Sequence, residues 1–118
     1  MKLEVGMYVR LQNDAENIVI INRIANVFET TILTENDGSI YQGVYTKENV
    51  VKASYNIIDI LEVGDYVNGL PVAKTSEYIG TYEKYIELYG SCSDWENEDI
   101  KSVITHEQME QMAYKIGE

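Results

Sequence analysis

A chain of 118 residues with a formal net charge of −11 makes one ordinary domain or two very small ones. The excess of acidic side chains repels phosphate backbones, so direct nucleic-acid binding is excluded from the expected functions. No apolar run approaches the length of a membrane-spanning helix, and no signal peptide is expected. The single cysteine, Cys92, has no internal disulfide partner, which favours the cytoplasm.

The first half of the chain has the pattern of a small β unit. Strands are predicted over residues 1–11, 18–24 and 27–33, because β-branched and apolar side chains dominate the last two segments. Asp37-Gly38 predicts a tight hairpin into a strand over residues 39–45, since this pair supplies the positive φ angles of the turn. A strand over 48–53 and a short helical turn over 54–59 complete the unit.

The middle of the chain predicts two strands, over residues 63–67 and 72–75, on either side of a Gly69-Leu70-Pro71 corner. Residues 78–89 carry tyrosines at 4-3-4 spacing, which fits one face of a helix. Gly80 and the β-favouring composition of this segment favour strands over a helix. We expect a hairpin that turns near Glu83 and Lys84.

The last part of the chain begins with a polar acidic loop over residues 91–99 and a strand over residues 100–104. Thr105 and Gln108 have the spacing of a capping box, which predicts a helical turn from that point. His106 is expected to be an exposed residue of this turn. A short strand over residues 113–116 ends the chain.

A repeated segment divides the chain into two units. Residues 4–10 read Glu-Val-Gly-Met-Tyr-Val-Arg and residues 62–68 read Glu-Val-Gly-Asp-Tyr-Val-Asn, so five of seven positions are identical. In each copy the glycine favours a bulge or a positive φ just before a strand. The predicted fold is mainly all-β, with two tandem SH3-like small barrels over residues 1–61 and 62–118. They pack together, and each carries a short helical turn.

The repeated segment also carries a resemblance, together with residues 51–59 and the segments 100–105, 107–109 and 114–115. On these residues the chain resembles small proteins encoded by phages and prophages of low-GC Gram-positive bacteria. The resemblance covers about half of the chain and is weakest over residues 11–49 and 70–97. It implies a phage setting, in which small accessory proteins often bind and disable host factors, and a location in the host cytoplasm. It implies no particular activity and no functional residues.

Few residue types suited to catalysis are present. The chain has one histidine and one cysteine, and it lacks a phosphate-binding glycine loop and a nucleophile elbow. The acids at positions 94, 96, 98 and 99 lack the spacing of a calcium loop. We therefore expect no enzyme, no catalytic residue, no metal site and no cofactor.

The acids and aromatic residues of the second unit suggest a binding surface. The formal charge is −3 over residues 1–61 and −8 over residues 62–118, and an acidic field favours encounter with a basic partner. Tyrosine and tryptophan supply contact area at interfaces. The predicted partner-binding residues are Tyr82, Tyr85, Tyr89, Asp94, Trp95, Glu96, Glu98 and Asp99. The predicted partner is a basic host protein, and no membrane partner is expected. Formation of a homo-oligomer remains possible.

Other interpretations of the same residues remain open. The tyrosines could cap barrel ends and the seam between the units, or form a cage for a methylated lysine. The acids could simply keep the protein soluble. A small molecule or signalling nucleotide is the alternative ligand, and it requires Arg10, Arg23, Lys47 and Lys52 to cluster at the seam.

Overall fold

The computed structural model describes residues 2–14, 18–36, 42–81 and 83–112, and β-strands dominate them. The strands are β1 (Tyr8–Asn13), β2 (Ile18–Val27), β3 (Thr31–Glu35), β4 (Gly43–Thr46), β5 (Val50–Ser54), β6 (Tyr66–Val67), β7 (Leu70–Glu77), β8 (Lys84–Leu88), β9 (Asp94–Trp95) and β10 (Val103–Ile104). Turns of 3₁₀ helix lie at Lys47–Asn49, Ile57–Ile60 and Asn97–Asp99, and an α-helix, α1, spans His106–Met112. The prediction of a mainly β protein is confirmed.

The strands form two antiparallel sheets of five strands each. The first sheet has the order β4-β3-β2-β1-β5, and the second has the order β10-β6-β7-β8-β9. In both sheets the strand that comes first along the chain lies between the second and the fifth, and a 3₁₀ turn precedes the fifth. Among the described residues the two outer strands of each sheet do not pair with each other, so each sheet is open.

The repeated segment builds the same turn twice. The amide of the fourth motif residue donates to the carbonyl of the first, at 3.2 Å in the first copy and 3.0 Å in the second. Gly6 and Gly64 have φ angles of +93° and +96°, as predicted from the sequence. Their amides donate to the carbonyls of Ile24 and Val72 in the following strand. The motif therefore fixes how the first strand of each sheet begins.

The first sheet has its own apolar core on one face. Its members alternate along β1 and β2, as expected when side chains point to opposite faces in turn. The fully or nearly fully buried members are Val9, Leu11, Ile18, Ile20, Ile24 and Ile32. Burying each such aliphatic side chain contributes about 1.5–3 kcal/mol.

The other face of the first sheet completes the core of the second. Ile21 of β2 and the segment between the sheets share one cluster with side chains of β6, β7 and β8, and Tyr8 packs against it. The buried members are Ile21, Ile58, Ile60, Leu61, Val67, Val72, Ile86 and Leu88. The second sheet therefore depends on the first half of the chain for part of its core.

The tyrosine-rich segment is a hairpin, as predicted, and not a helix. Ile86 and Leu88 of β8 are buried, while Tyr85 and Glu87, which alternate with them, are partly exposed, and this is the period of a strand. β7 ends at Glu77 and β8 begins at Lys84, so the turn comes earlier along the chain than expected, and Gly80 between the two strands has a φ of +81°.

Several predicted boundaries change. Residues 1–7 precede β1, and Val27 ends β2, so the third strand begins only at Thr31. Leu70 and Pro71 belong to β7, and the positive φ angles of Asn68 and Gly69 make the corner before it. The predicted acidic loop contains β9, whose Trp95 pairs with Ile86 of β8. Local composition missed β9 because two residues carry no periodic signal.

The capping box at the start of α1 is confirmed, since the Gln108 amide donates to Thr105 Oγ1 at 3.1 Å and the Thr105 amide donates to Gln108 Oε1 at 3.1 Å. Among the described residues no helix is long and apolar enough to cross a membrane. Three predictions lie outside the described residues: the Asp37-Gly38 turn, the placement of Tyr82 and the strand over residues 113–116.

Candidate functional site

A buried ion cluster joins the two copies of the repeated segment. Arg10 is 1% exposed and Asp65 is fully buried, and the guanidinium donates to both Asp65 oxygens at 2.7 and 3.2 Å. It also donates to Glu107 at 2.8 Å and to the Ile60 carbonyl at 3.2 Å, and it lies 3.4 Å from Glu62. Arg10 and Asp65 occupy motif positions that differ between the copies, so this pairing belongs to the contact between the units.

His106 lies beside this cluster and is half-buried, contrary to the expectation of an exposed residue. Its Nε2 atom lies 3.1 Å from a carboxylate oxygen of Glu62 and 3.1 Å from one of Glu107. The three residues offer ligand atoms that lie within 4.8 Å of one another, which is a possible metal-ligand set. Arg10 and Lys52 already contact these carboxylates, so a divalent cation would meet two positive charges there. We interpret the cluster as structural.

The surroundings of Glu62 in this cluster favour its charged form. Burial alone would raise its pKa, but hydrogen bonds from His106 and Lys52 and the charge of Arg10 outweigh burial and hold the pKa below its usual value. The charged form of Glu62 is thus stabilised in the folded protein.

The outer face of the second sheet carries an aromatic pair beside a carboxylate. The rings of Tyr78 and Tyr85 are tilted by 31° with centroids 4.6 Å apart, and the Tyr78 hydroxyl donates to Glu96 at 3.1 Å. Burial and the neighbouring Glu96 raise the pKa of Tyr78 to about 12. Tyr78 was not among the predicted site residues, although it lies in the same tyrosine stripe.

The carboxylates around Glu96 crowd one another. A hydrogen bond shared with Glu98 raises the pKa of Glu96, and the charges of Glu98 and Glu83 add to this effect. The backbone amide of Glu96 donates to the Asp99 carboxylate at 2.9 Å, in a capping box that begins the Asn97–Asp99 turn. Glu96 and Asp99 therefore hold this turn in place, whereas the exposed Glu98 side chain takes no part in the capping box.

These carboxylates border a cleft of about 370 Å³, called here the acidic cleft, which is lined by Asn56, Asp59, Glu83, Lys84, Glu96, Asn97 and Glu98. It contains four carboxylates and one ammonium group. Lys84 is held 2.6 Å from Asp59, an ion pair that couples β8 to the segment between the sheets. Sequence reasoning missed Asn56 and Asp59, because they come from the other unit and no local pattern marks them.

The predicted site residues divide between two faces. Tyr85 and Asp94 lie on the outer face, where Asp94 is directly opposite Glu87, and Tyr89 after β8 is 62% exposed. Trp95 lies on the inner face, packs against the shared core and donates from Nε1 to Ser91 at 3.0 Å. The outer-face residues Tyr78, Tyr85, Glu87, Tyr89 and Asp94 are called here the tyrosine face.

A second cleft, of about 350 Å³, opens between the two units and is called here the seam cleft. Its lining residues are Tyr8, Ile21, Asn22, Arg23, Glu35, Asn36, Ile57, Asn97, Ile100, Lys101, Ser102 and Val103. The four bases considered for an anionic ligand do not gather there. Arg10 is engaged with Asp65 and Lys52 with Glu62, and only Arg23 lines the cleft.

Comparison of the chain with protein-family models, with curated proteins and with solved structures returns no match. Function therefore has to be inferred from the geometry described above.

Proposed function

We propose that this protein is a binding module, without catalytic activity, that docks on a basic protein through the tyrosine face and the acidic cleft. The observation that carries the proposal is the crowding of Glu96 and Glu98 beside the stacked Tyr78 and Tyr85. A nearby cation stabilises carboxylates that otherwise repel one another. A lysine or arginine side chain of a partner would supply that cation.

The tyrosines would supply the contact area. Aromatic rings bury a large surface with few rotatable bonds, and their faces attract cationic groups. Tyr78 and Tyr85 are partly exposed and already stacked, so little conformational freedom is lost when a partner covers them. Trp95, which packs into the core, would support this face from behind.

The fold and setting are part of the same proposal. The shared strand order and the 3₁₀ turn before each fifth strand favour two SH3-like units related by duplication. Such units host many functions, so the fold alone does not identify a partner. The resemblance to phage and prophage proteins supports a host protein as the partner, its inhibition as the outcome and the host cytoplasm as the location.

Two charge-reversal variants with the same net charge test the binding surface. The first changes Glu83, Asp94 and Glu98 to lysine, all exposed and outside the capping box. The second changes Glu29, Glu48 and Glu110 to lysine, which are exposed elsewhere on the protein. Each variant and the parent protein are immobilised and incubated with host lysate, and retained proteins are identified and then measured by surface plasmon resonance.

The proposal expects a basic protein that the parent and the second variant retain and the first variant loses. Its association should slow about tenfold or more in the first variant and should also slow as salt rises. Tyr85→Ala should mainly speed dissociation, by about 30-fold for a 2 kcal/mol anchor, while Tyr55→Ala, which removes an exposed tyrosine of the first unit, should not. Retained partners that bind both reversal variants alike would refute the proposal.

A further inference from the structure

The seam cleft differs from the rest of the molecule in its charge. The whole chain carries −11, yet this cleft is lined by two basic side chains, Arg23 and Lys101, and one acidic side chain, Glu35. The acidic cleft, of similar volume, has four carboxylates and one ammonium. The seam cleft is therefore a local positive site on an acidic protein, at the junction of two units, where ligand sites often form.

Both bases are available to a ligand. Arg23 lies 3.5 Å from Glu35, and the two side chains are 53% and 51% exposed, so this pair contributes at most about 1 kcal/mol. The Lys101 ammonium donates to the Glu98 carbonyl at 2.9 Å. Among the described residues no carboxylate lies within ion-pair distance of Lys101. An anionic group that reaches these bases therefore competes with one weak ion pair and one hydrogen bond to a carbonyl.

The walls next to these charges are apolar. Ile57, Ile100 and Val103 line the cleft and also pack against the shared core, and Tyr8 lies directly opposite Arg23 in the β1–β2 ladder. Residues directly opposite in an antiparallel pair project on the same face, so Tyr8 and Arg23 lie on one face of the first sheet. The seam cleft thus places an apolar wall next to basic side chains, which suits a ligand that has both a flat apolar group and an anionic group.

The wall from the second unit is held in place by hydrogen bonds. Asn68, whose φ is +51°, accepts from the amides of Lys101 and Ser102 at 2.8 and 3.0 Å through Oδ1. Its Nδ2 donates to the Asp99 carbonyl at 2.8 Å. These bonds fix the backbone that carries Lys101, so the cleft is formed before any ligand enters.

We propose that the seam cleft binds a small phosphorylated molecule with a flat ring, of mononucleotide size. Arginine favours phosphate because its planar guanidinium can donate two parallel hydrogen bonds, and Lys101 completes the charge. The ring lies against Tyr8 and the isoleucines. The side-chain oxygen of Asn36 can accept a hydrogen bond from the ring, whereas its Nδ2 already donates to the Ile21 carbonyl and to Asn22. The volume of about 350 Å³ lies within the range of small-molecule sites. This site is separate from the tyrosine face.

The test uses the full chain, labelled with ¹⁵N, and four probes: AMP, UMP, adenosine and inorganic phosphate. Amide shifts and heats of binding are recorded as each probe is added. The variants are Arg23→Ala, Lys101→Ala and the control Lys74→Ala, which removes an exposed lysine that pairs with Glu87 in the second sheet. Amide spectra of the free variants show that each retains the fold.

The proposal expects AMP or UMP to shift the amides of residues 22–23, 36 and 100–103, with a dissociation constant of about 1 mM or tighter. Arg23→Ala and Lys101→Ala should each weaken binding about tenfold, whereas Lys74→Ala should leave it unchanged. Adenosine and phosphate should each bind more weakly than the nucleotide. No shift with either nucleotide, shifts that map elsewhere, equal binding of adenosine or phosphate, or insensitivity to both alanine variants would overturn the proposal.

Discussion

The buried Arg10 guanidinium is where a single substitution should cost most. Arg10→Met keeps a side chain of similar length and removes the positive charge that Asp65, Glu62 and Glu107 share. Asp65 is then left fully buried with only the Glu62 and His106 amides, at 2.7 and 2.9 Å, to stabilise its charge. Three carboxylates without their central cation also repel one another.

The expected loss in unfolding free energy is about 3–5 kcal/mol, the cost of removing one partner of a buried ion pair. A protein of this size has a total stability of about 5–15 kcal/mol, so the variant should be folded but clearly weakened. Arg23→Met is the matched control. Arg23 also contacts a glutamate, but both side chains are half-exposed, and the expected loss is at most about 1 kcal/mol.

Urea unfolding measures both variants, followed by the fluorescence of Trp95 and by far-ultraviolet circular dichroism. Trp95 packs against the shared core, so its emission reports the seam between the units. The Arg10→Met midpoint should fall by about 1 M or more. Equal midpoints for the two arginine variants would refute the view that the ion cluster holds the units together.

Four further outcomes are expected. The fragment over residues 62–118 should remain unfolded in amide spectra, because its core needs Ile21 and the segment between the sheets; a dispersed spectrum would contradict the shared core. Gly64→Ala should cost about 1–2 kcal/mol in urea unfolding because of its positive φ, and an unchanged midpoint would argue against the turn. Thr105→Ala should cost about 1–3 kcal/mol, measured in the same way, because its buried hydroxyl both caps α1 and donates to the Val19 carbonyl, and an unchanged midpoint would contradict this role. The pKa of Glu62 is lowered on folding, so its contribution to stability is present above the unfolded pKa and lost as pH falls through the folded pKa. Glu62→Gln should therefore be less stable than the parent at pH 7, and its free energy of unfolding should change less with pH below about pH 4. A free energy of unfolding that falls with acid as steeply as the parent's would count against this.

Local sequence patterns correctly indicated the elements that local chemistry controls. Alternating apolar residues indicated most strands, and Thr105 and Gln108 indicated the start of α1. The repeated glycine indicated a positive φ before β1 and β6, because few other residues adopt that conformation. The acids and tyrosines of the second unit predict a binding surface that includes Tyr85, Glu96 and Glu98, and its function stays a prediction.

Other features depended on contacts between distant residues. The apolar residues over 18–24 indicated a strand, but only the tertiary structure shows that Ile21 covers the second sheet. Arg10 and Asp65 are 55 residues apart, and nothing local marks them as partners. Trp95 points inward because its register with Ile86 places it there. The alternation of side chains gives every strand two faces, and local sequence is enough to show it. The packing of the sheets determines what each face contacts, and that packing depends on the whole chain.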